Sequence, residues 1–143
     1  MPSLLLIAHG SRRAASNDEV RALAERIRSL PDSGYDHVEA AFLELAEPLI
    51  PAGLHALAAR GATEIVAFPY FLAAGTHVAS DIPEAIAEFA RARPDVAVRL
   101  SGHLGASMLL PTAILSVARC ESGAAAPCRR FAGGEAVVCG CAN

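Results

Sequence analysis

The sequence predicts an α/β fold in which a four-stranded parallel sheet carries helices on both faces. Three observations lead there. Short, unbroken apolar runs such as "LLLIA" at 4–8 are what a strand buried on both sides requires. Each run is followed by a longer stretch whose apolar residues recur at helical spacing. The two kinds of segment alternate as β-α-β-α-β-α-β-α, the pattern of parallel strands joined by crossover helices.

The elements follow in order. Leu4 to Ala8 forms the first strand. Asn17 and Asp18 are read as the cap of a helix running to about Ser29, with Val20, Leu23, Ala24 and Ile27 on one face. "LPDSGYD" is a loop, and His37 to Leu45 is the second strand. Pro48 or Pro51 opens the second helix, which stops at Gly61. Thr63 to Phe68 is the third strand, followed by a loop from Pro69 to Ser80. Asp81 is read as the cap of the third helix, with Pro83 in its first turn and an end near Arg93. Val96 to Leu100 is the fourth strand. A loop and a helix from about Ala106 to Arg119 complete a domain of residues 1–119, and a tail of residues 120–143 contains one short strand, "EAVVC".

Composition narrows the function classes. The chain is 53% hydrophobic and 19% charged, which marks a folded globular protein. Its net charge of -3 leaves no basic field to hold a nucleic-acid backbone, so no nucleic-acid partner is expected. Mean hydropathy is high at +0.37, largely through alanine. No apolar run approaches the roughly 18 residues that span a bilayer. The first apolar stretch has no basic residues before it, so it does not read as a signal peptide. A cytoplasmic protein without a membrane partner is expected.

In doubly wound sheets ligands collect beyond the carboxyl ends of the strands. His9 and Gly10 follow the first strand, Glu44 and Glu47 the second, Pro69 to His77 the third, and His103 the fourth. Imidazole and carboxylate are ligands for first-row divalent ions, and both accept protons near neutral pH. HExxH, GxGxxG and P-loop motifs are missing, so the site must be assembled from separate loops. His37 starts a strand and His55 lies on a helix; both read as structural. Glu47 and His103 are lesser candidates. Taken alone, composition favours reading Glu44 and Glu47 as solvated charges where strand meets helix, and Arg12 and Arg13 could be no more than a solvated pair.

Three segments, "LLLIAHGSR", "AFLELAEPLI" and "FPYFLAAGTHVASDIP", together resemble the small sirohydrochlorin chelatases of the CbiX/SirB type, class II enzymes that insert cobalt, iron or nickel into tetrapyrroles without ATP. The resemblance runs from about residue 3 to 119. It implies a flavodoxin-like chelatase unit that pairs as a homodimer. It also implies that His9 and His77 bind the incoming Co²⁺ or Fe²⁺ or take the pyrrole protons, with Glu44 assisting. Ser11, Arg12 and Arg13 are then expected to meet the carboxylates of the macrocycle. Tyr70, Phe71 and Leu72 read either as an apolar wall for its flat face or as ordinary core at the end of a strand.

The four cysteines, Cys120, Cys128, Cys139 and Cys141, all fall in the tail. Four is the number that an iron–sulfur cluster uses, and some chelatases carry one. The spacing C-x7-C-x10-C-x-C matches neither a zinc ribbon nor a bacterial ferredoxin run. A [2Fe–2S] cluster is the leading expectation, against structural zinc, metal delivery or reversible disulfides. The activity expected is metal insertion into sirohydrochlorin for cobalamin or sirohaem synthesis. Its rivals are a metal carrier, an iron–sulfur redox or sensor protein on a chelatase fold, and a chelatase for another tetrapyrrole.

Overall fold

The computed structural model describes residues 1–119 and 129–138, with only the backbone described at 77, 78, 132 and 138. The elements run β1 Ser3–Ala8, α1 Ala14–Arg28, β2 Val38–Phe42, α2 Ile50–Ala59, β3 Glu64–Pro69, α3 Thr76–Ala92 and β4 Ala97–Leu100, then a short 3-10 turn at Leu104–Ala106 and α4 Leu110–Ala118. Two further strands, β5 Arg129–Ala132 and β6 Glu135–Val138, follow. The main sheet has the order β2-β1-β3-β4 with every neighbour parallel. The four-stranded parallel sheet read from the sequence is therefore present.

Alternation along β1 divides the core into two layers. Leu5 and Ile7 pack with Ile50, Leu54 and Leu57 of α2 and with Ile82 and Phe89 of α3. Leu4, Leu6 and Ala8 face the other way, toward Ala24, Val20, Leu23 and Ile27 of α1. These are the α1 residues that the helical spacing put on one face. A fully buried Leu or Ile contributes about 1.5–3 kcal/mol, so β1, buried along its whole length, anchors both layers. Gly53 lets α2 lie close to the sheet: a Cβ there would stand 3.1 Å from both Ala41 and Leu5. His55 packs edge-on against Phe89, ring centres 4.9 Å apart, as its structural reading expected.

Three helix starts differ from the sequence reading, and α4 begins at Leu110 rather than at about Ala106. Helix α1 begins at Ala14, and Asn17 is a buried residue inside it rather than its cap. Helix α3 begins at Thr76, five residues before the expected cap at Asp81, and Pro83 lies in its interior. The residues 76–82 contain no helix breaker, and Gly75 precedes them as the last non-helical residue. Pro83 lacks an N–H and so withholds one bond from the carbonyl of Ala79, a cost the longer helix absorbs.

Chain contacts separate two compact units, Met1–Ala106 and Ser107–Asn143. The second holds α4 and an antiparallel β5–β6 pair. Gly133 and Gly134, both at positive φ, form the two-residue turn of that hairpin. Only its second strand was read from the sequence. The four cysteines lie outside the described residues.

Candidate active site at the carboxyl edge of the sheet

β1 ends at Ala8, and the chain leaves the sheet through His9 and Gly10. The ladder with β2 continues one step beyond the strands. The Leu43 N–H donates to the Ala8 carbonyl at 3.0 Å, and the Glu44 N–H donates to the His9 carbonyl at 3.1 Å. This pairing brings the two side chains together, with His9 Nε2 3.0 Å from Glu44 Oε1. Both side chains are about half exposed. An ionised carboxylate only accepts hydrogen bonds, so the His9 Nε2 is the donor in this contact. A carboxylate on one ring nitrogen orients the ring, the arrangement found behind metal-ligating histidines.

Gly10 is required for this approach. Its φ is +95°, and a Cβ there would lie 1.8 Å from the carbonyl oxygen of Glu44. The next residue is fixed from below. The Ser11 N–H donates to Asn17 Oδ1 at 2.9 Å, and Asn17 Nδ2 donates to the Ser11 carbonyl at 2.7 Å. The Ser11 hydroxyl oxygen accepts from the Arg13 N–H at 3.1 Å, which leaves its own proton for a ligand. Arg12 and Arg13 are exposed at the start of α1.

The Glu44 loop is held differently. Leu45 sits at φ +66°, and the Glu47–Pro48 peptide is cis. Arg21 reaches across from α1. Its Nη2 donates to the Glu47 carbonyl at 2.7 Å, its Nη1 donates to Asp18 at 2.9 Å, and its guanidinium lies 5.1 Å from the centre of the Phe42 ring. Neither Asn17 nor Arg21 was singled out as a site residue. The only signal for Asn17 was its polarity at a position facing β1, and Arg21 gave none.

His9 and Glu44 open onto a recess of about 350 Å³, lined also by Leu43, Leu49, Ile50, Pro51, Asp81 and Ala85. Glu47 is not among its lining residues. His77 lies in the first turn of α3, four residues before Asp81. Tyr70, Phe71 and Leu72 do not share one face. Tyr70 packs toward the α1 layer, Phe71 packs toward the α2–α3 layer, and only Leu72 is exposed. The single apolar wall expected from these three residues is thus split. His103 is in the loop after β4, with its carbonyl accepting from Ala106, and it is absent from the recess. Among the described residues, no three His, Cys, Asp or Glu side chains converge into a preformed metal cage. A second recess, about 380 Å³, runs along the outer edge of β2. Arg60 and Glu39 pair across it, and Arg21 is engaged as above, so its charges serve one another.

Comparison with known proteins identifies the family. The CbiX family model matches residues 3–119. This chain belongs to the CbiX family. It is 40% identical over 84 residues to a sirohydrochlorin cobaltochelatase of Methanococcus aeolicus, covering 59% of this chain and 57% of that one. It is 33% identical over 107 residues to a chloroplastic sirohydrochlorin ferrochelatase of Arabidopsis thaliana, covering 75% and 47%. The chain thus spans about half the length of these curated relatives. Among solved structures, it resembles the sirohydrochlorin chelatase SirB of Bacillus subtilis subspecies spizizenii in complex with cobalt, with a TM-score of 0.73 and 30% identity over 84% of this chain and 50% of that one. The CbiX protein of Marinobacter aquaeolei VT8 matches with a TM-score of 0.71 and 29% identity over 83% and 95%. No described helix is long and apolar enough to cross a membrane.

Proposed function

We propose that this CbiX-family chain inserts a divalent metal, Co²⁺ or Fe²⁺ ahead of Ni²⁺, into sirohydrochlorin without ATP, in cobalamin or sirohaem synthesis. The observation that carries the proposal is the 3.0 Å contact of His9 with Glu44 beside an open recess at the carboxyl edge of the sheet. The names of the relatives support the substrate and the two metals.

Metal insertion has three demands. The ion must shed water, a pyrrole nitrogen must face it, and two N–H protons must leave the macrocycle. His9, oriented by Glu44, is a nitrogen donor for the ion or an acceptor for a departing proton. A borderline nitrogen donor holds such an ion without trapping it, which a thiolate site would do. His77 is assigned the partner role from the first turn of α3. The exchange is downhill once the ion is placed, so no nucleotide site is needed. Arg12, Arg13 and the Ser11 hydroxyl, at the start of α1, suit the carboxylates of the substrate. The variants Arg12→Ala and Arg13→Ala are expected to raise the KM for sirohydrochlorin several-fold; an unchanged KM in both would remove that role.

A flat macrocycle covers more surface than one open recess offers, so a second copy is proposed to close the site, in a cytoplasmic homodimer. A monomer in light scattering at micromolar concentration would contradict this. For Cys120, Cys128, Cys139 and Cys141 the proposal is a [2Fe–2S] cluster, visible as charge-transfer absorption in protein purified without oxygen. The activity itself is tested by following the absorbance of sirohydrochlorin with Co²⁺ or Fe²⁺ under anaerobic conditions. Metallation faster than the spontaneous rate is expected. Stoichiometric metal binding without product would favour the carrier instead.

A further inference from the structure

Asp81 has no part in the reading so far, yet it lines the same recess as His9 and Glu44. The early start of α3 explains how it arrives there. Asp81 lies in the second turn of the helix, and Ala85, one turn further on, lines the recess as well. Residues four apart share a helix face, so one stripe of α3 forms this wall. The rest of the lining is mostly apolar: Leu43, Leu49, Ile50 and Pro51.

We propose that Asp81 belongs to the metal path: its carboxylate draws the divalent ion into the recess and directs it toward His9 and Glu44. The inference rests on the chelatase reading and adds a residue to it. Two carboxylates and one imidazole give the recess a charge complementary to a dication. Asp81 is assigned the part of a guiding charge rather than of a fixed ligand, since it lines the recess without belonging to the His9–Glu44 contact. A cage of fixed ligands would oppose release of the ion to the macrocycle. Apolar walls reduce the local screening and strengthen the attraction at short range. In bulk solution the field decays over about 8 Å at physiological ionic strength, so the contribution should weaken with added salt.

The test is a Co²⁺ titration of the full chain, read by the visible absorption of the bound ion at low and at physiological salt. Asp81→Asn is expected to weaken apparent Co²⁺ affinity about tenfold and to flatten its salt dependence. The KM for Co²⁺ should rise in parallel, with little change in kcat. Asp81→Glu keeps the charge and should behave like the wild type, which separates guidance from any effect on folding. If Asp81→Asn keeps wild-type affinity and salt dependence while His9→Ala loses binding, the role of Asp81 is refuted and the site stands. If the wild type neither binds Co²⁺ nor metallates sirohydrochlorin, the chelatase reading falls and this assignment falls with it.

Discussion

The loops that carry His9 and Glu44 leave adjacent strands and meet where these two residues pair, but their side-chain supports differ. The His9 loop is pinned by a buried amide: Asn17 bonds both the N–H and the carbonyl of Ser11. The Glu44 loop is held by a half-exposed cation, with one bond from Arg21 to the Glu47 carbonyl and the guanidinium over Phe42. A buried neutral pair with two matched bonds is stiff and expensive to break. A solvated cation on a single carbonyl is weaker and tolerates movement. On this account, the side-chain support beneath His9 is the stiffer of the two, while the Glu44 segment relies on its backbone bonds to the β1 end as well as on Arg21.

The contrast can be broken most severely at Gly10, where the two loops touch. Gly10→Ala puts a methyl group 1.8 Å from the Glu44 carbonyl oxygen on a backbone at φ +95°. A loss of about 2–4 kcal/mol in denaturant unfolding is expected, with loss of metallation. Asn17→Ala comes next. It strips both partners from Ser11 and should cost about 2–3 kcal/mol, with a fall in kcat because His9 is no longer fixed. The smallest effect belongs to Arg21. Arg21→Ala should cost about 1 kcal/mol or less and reduce kcat/KM only a few-fold, while Arg21→Lys keeps the charge over Phe42 and recovers part of the loss. If Arg21→Ala proved as damaging as Asn17→Ala, the two loops would be equally stiff and the contrast would fail.

Much of this was legible in the sequence. The apolar run of β1 and the alternation of strand-like with helical segments pointed to four parallel strands, and the carboxyl-edge rule placed His9 and Glu44 on one edge before their contact was known. Helix starts were less legible because capping residues serve more than one purpose. Asn17 looks like a cap but is turned to the main chain of Ser11. Asp81 looks like a cap because Pro83 follows it, yet the helix already runs through both. Tyr70, Phe71 and Leu72 were less legible for a different reason. They follow the last residue of β3, where the chain turns, and Tyr70 and Phe71 pack against different core layers while Leu72 is exposed.

The central claim is that His9 and Glu44 act as one unit in metallation. The direct measurement is the initial rate of Co²⁺ insertion into sirohydrochlorin for wild type, His9→Ala, Glu44→Gln and the double variant. The account predicts that the wild type exceeds the spontaneous rate and that each single variant loses most of that excess. The double variant should be little worse than His9→Ala alone, because a coupled pair is non-additive. Single-variant losses that simply multiply in the double variant, or a wild type no faster than the uncatalysed reaction, would contradict it.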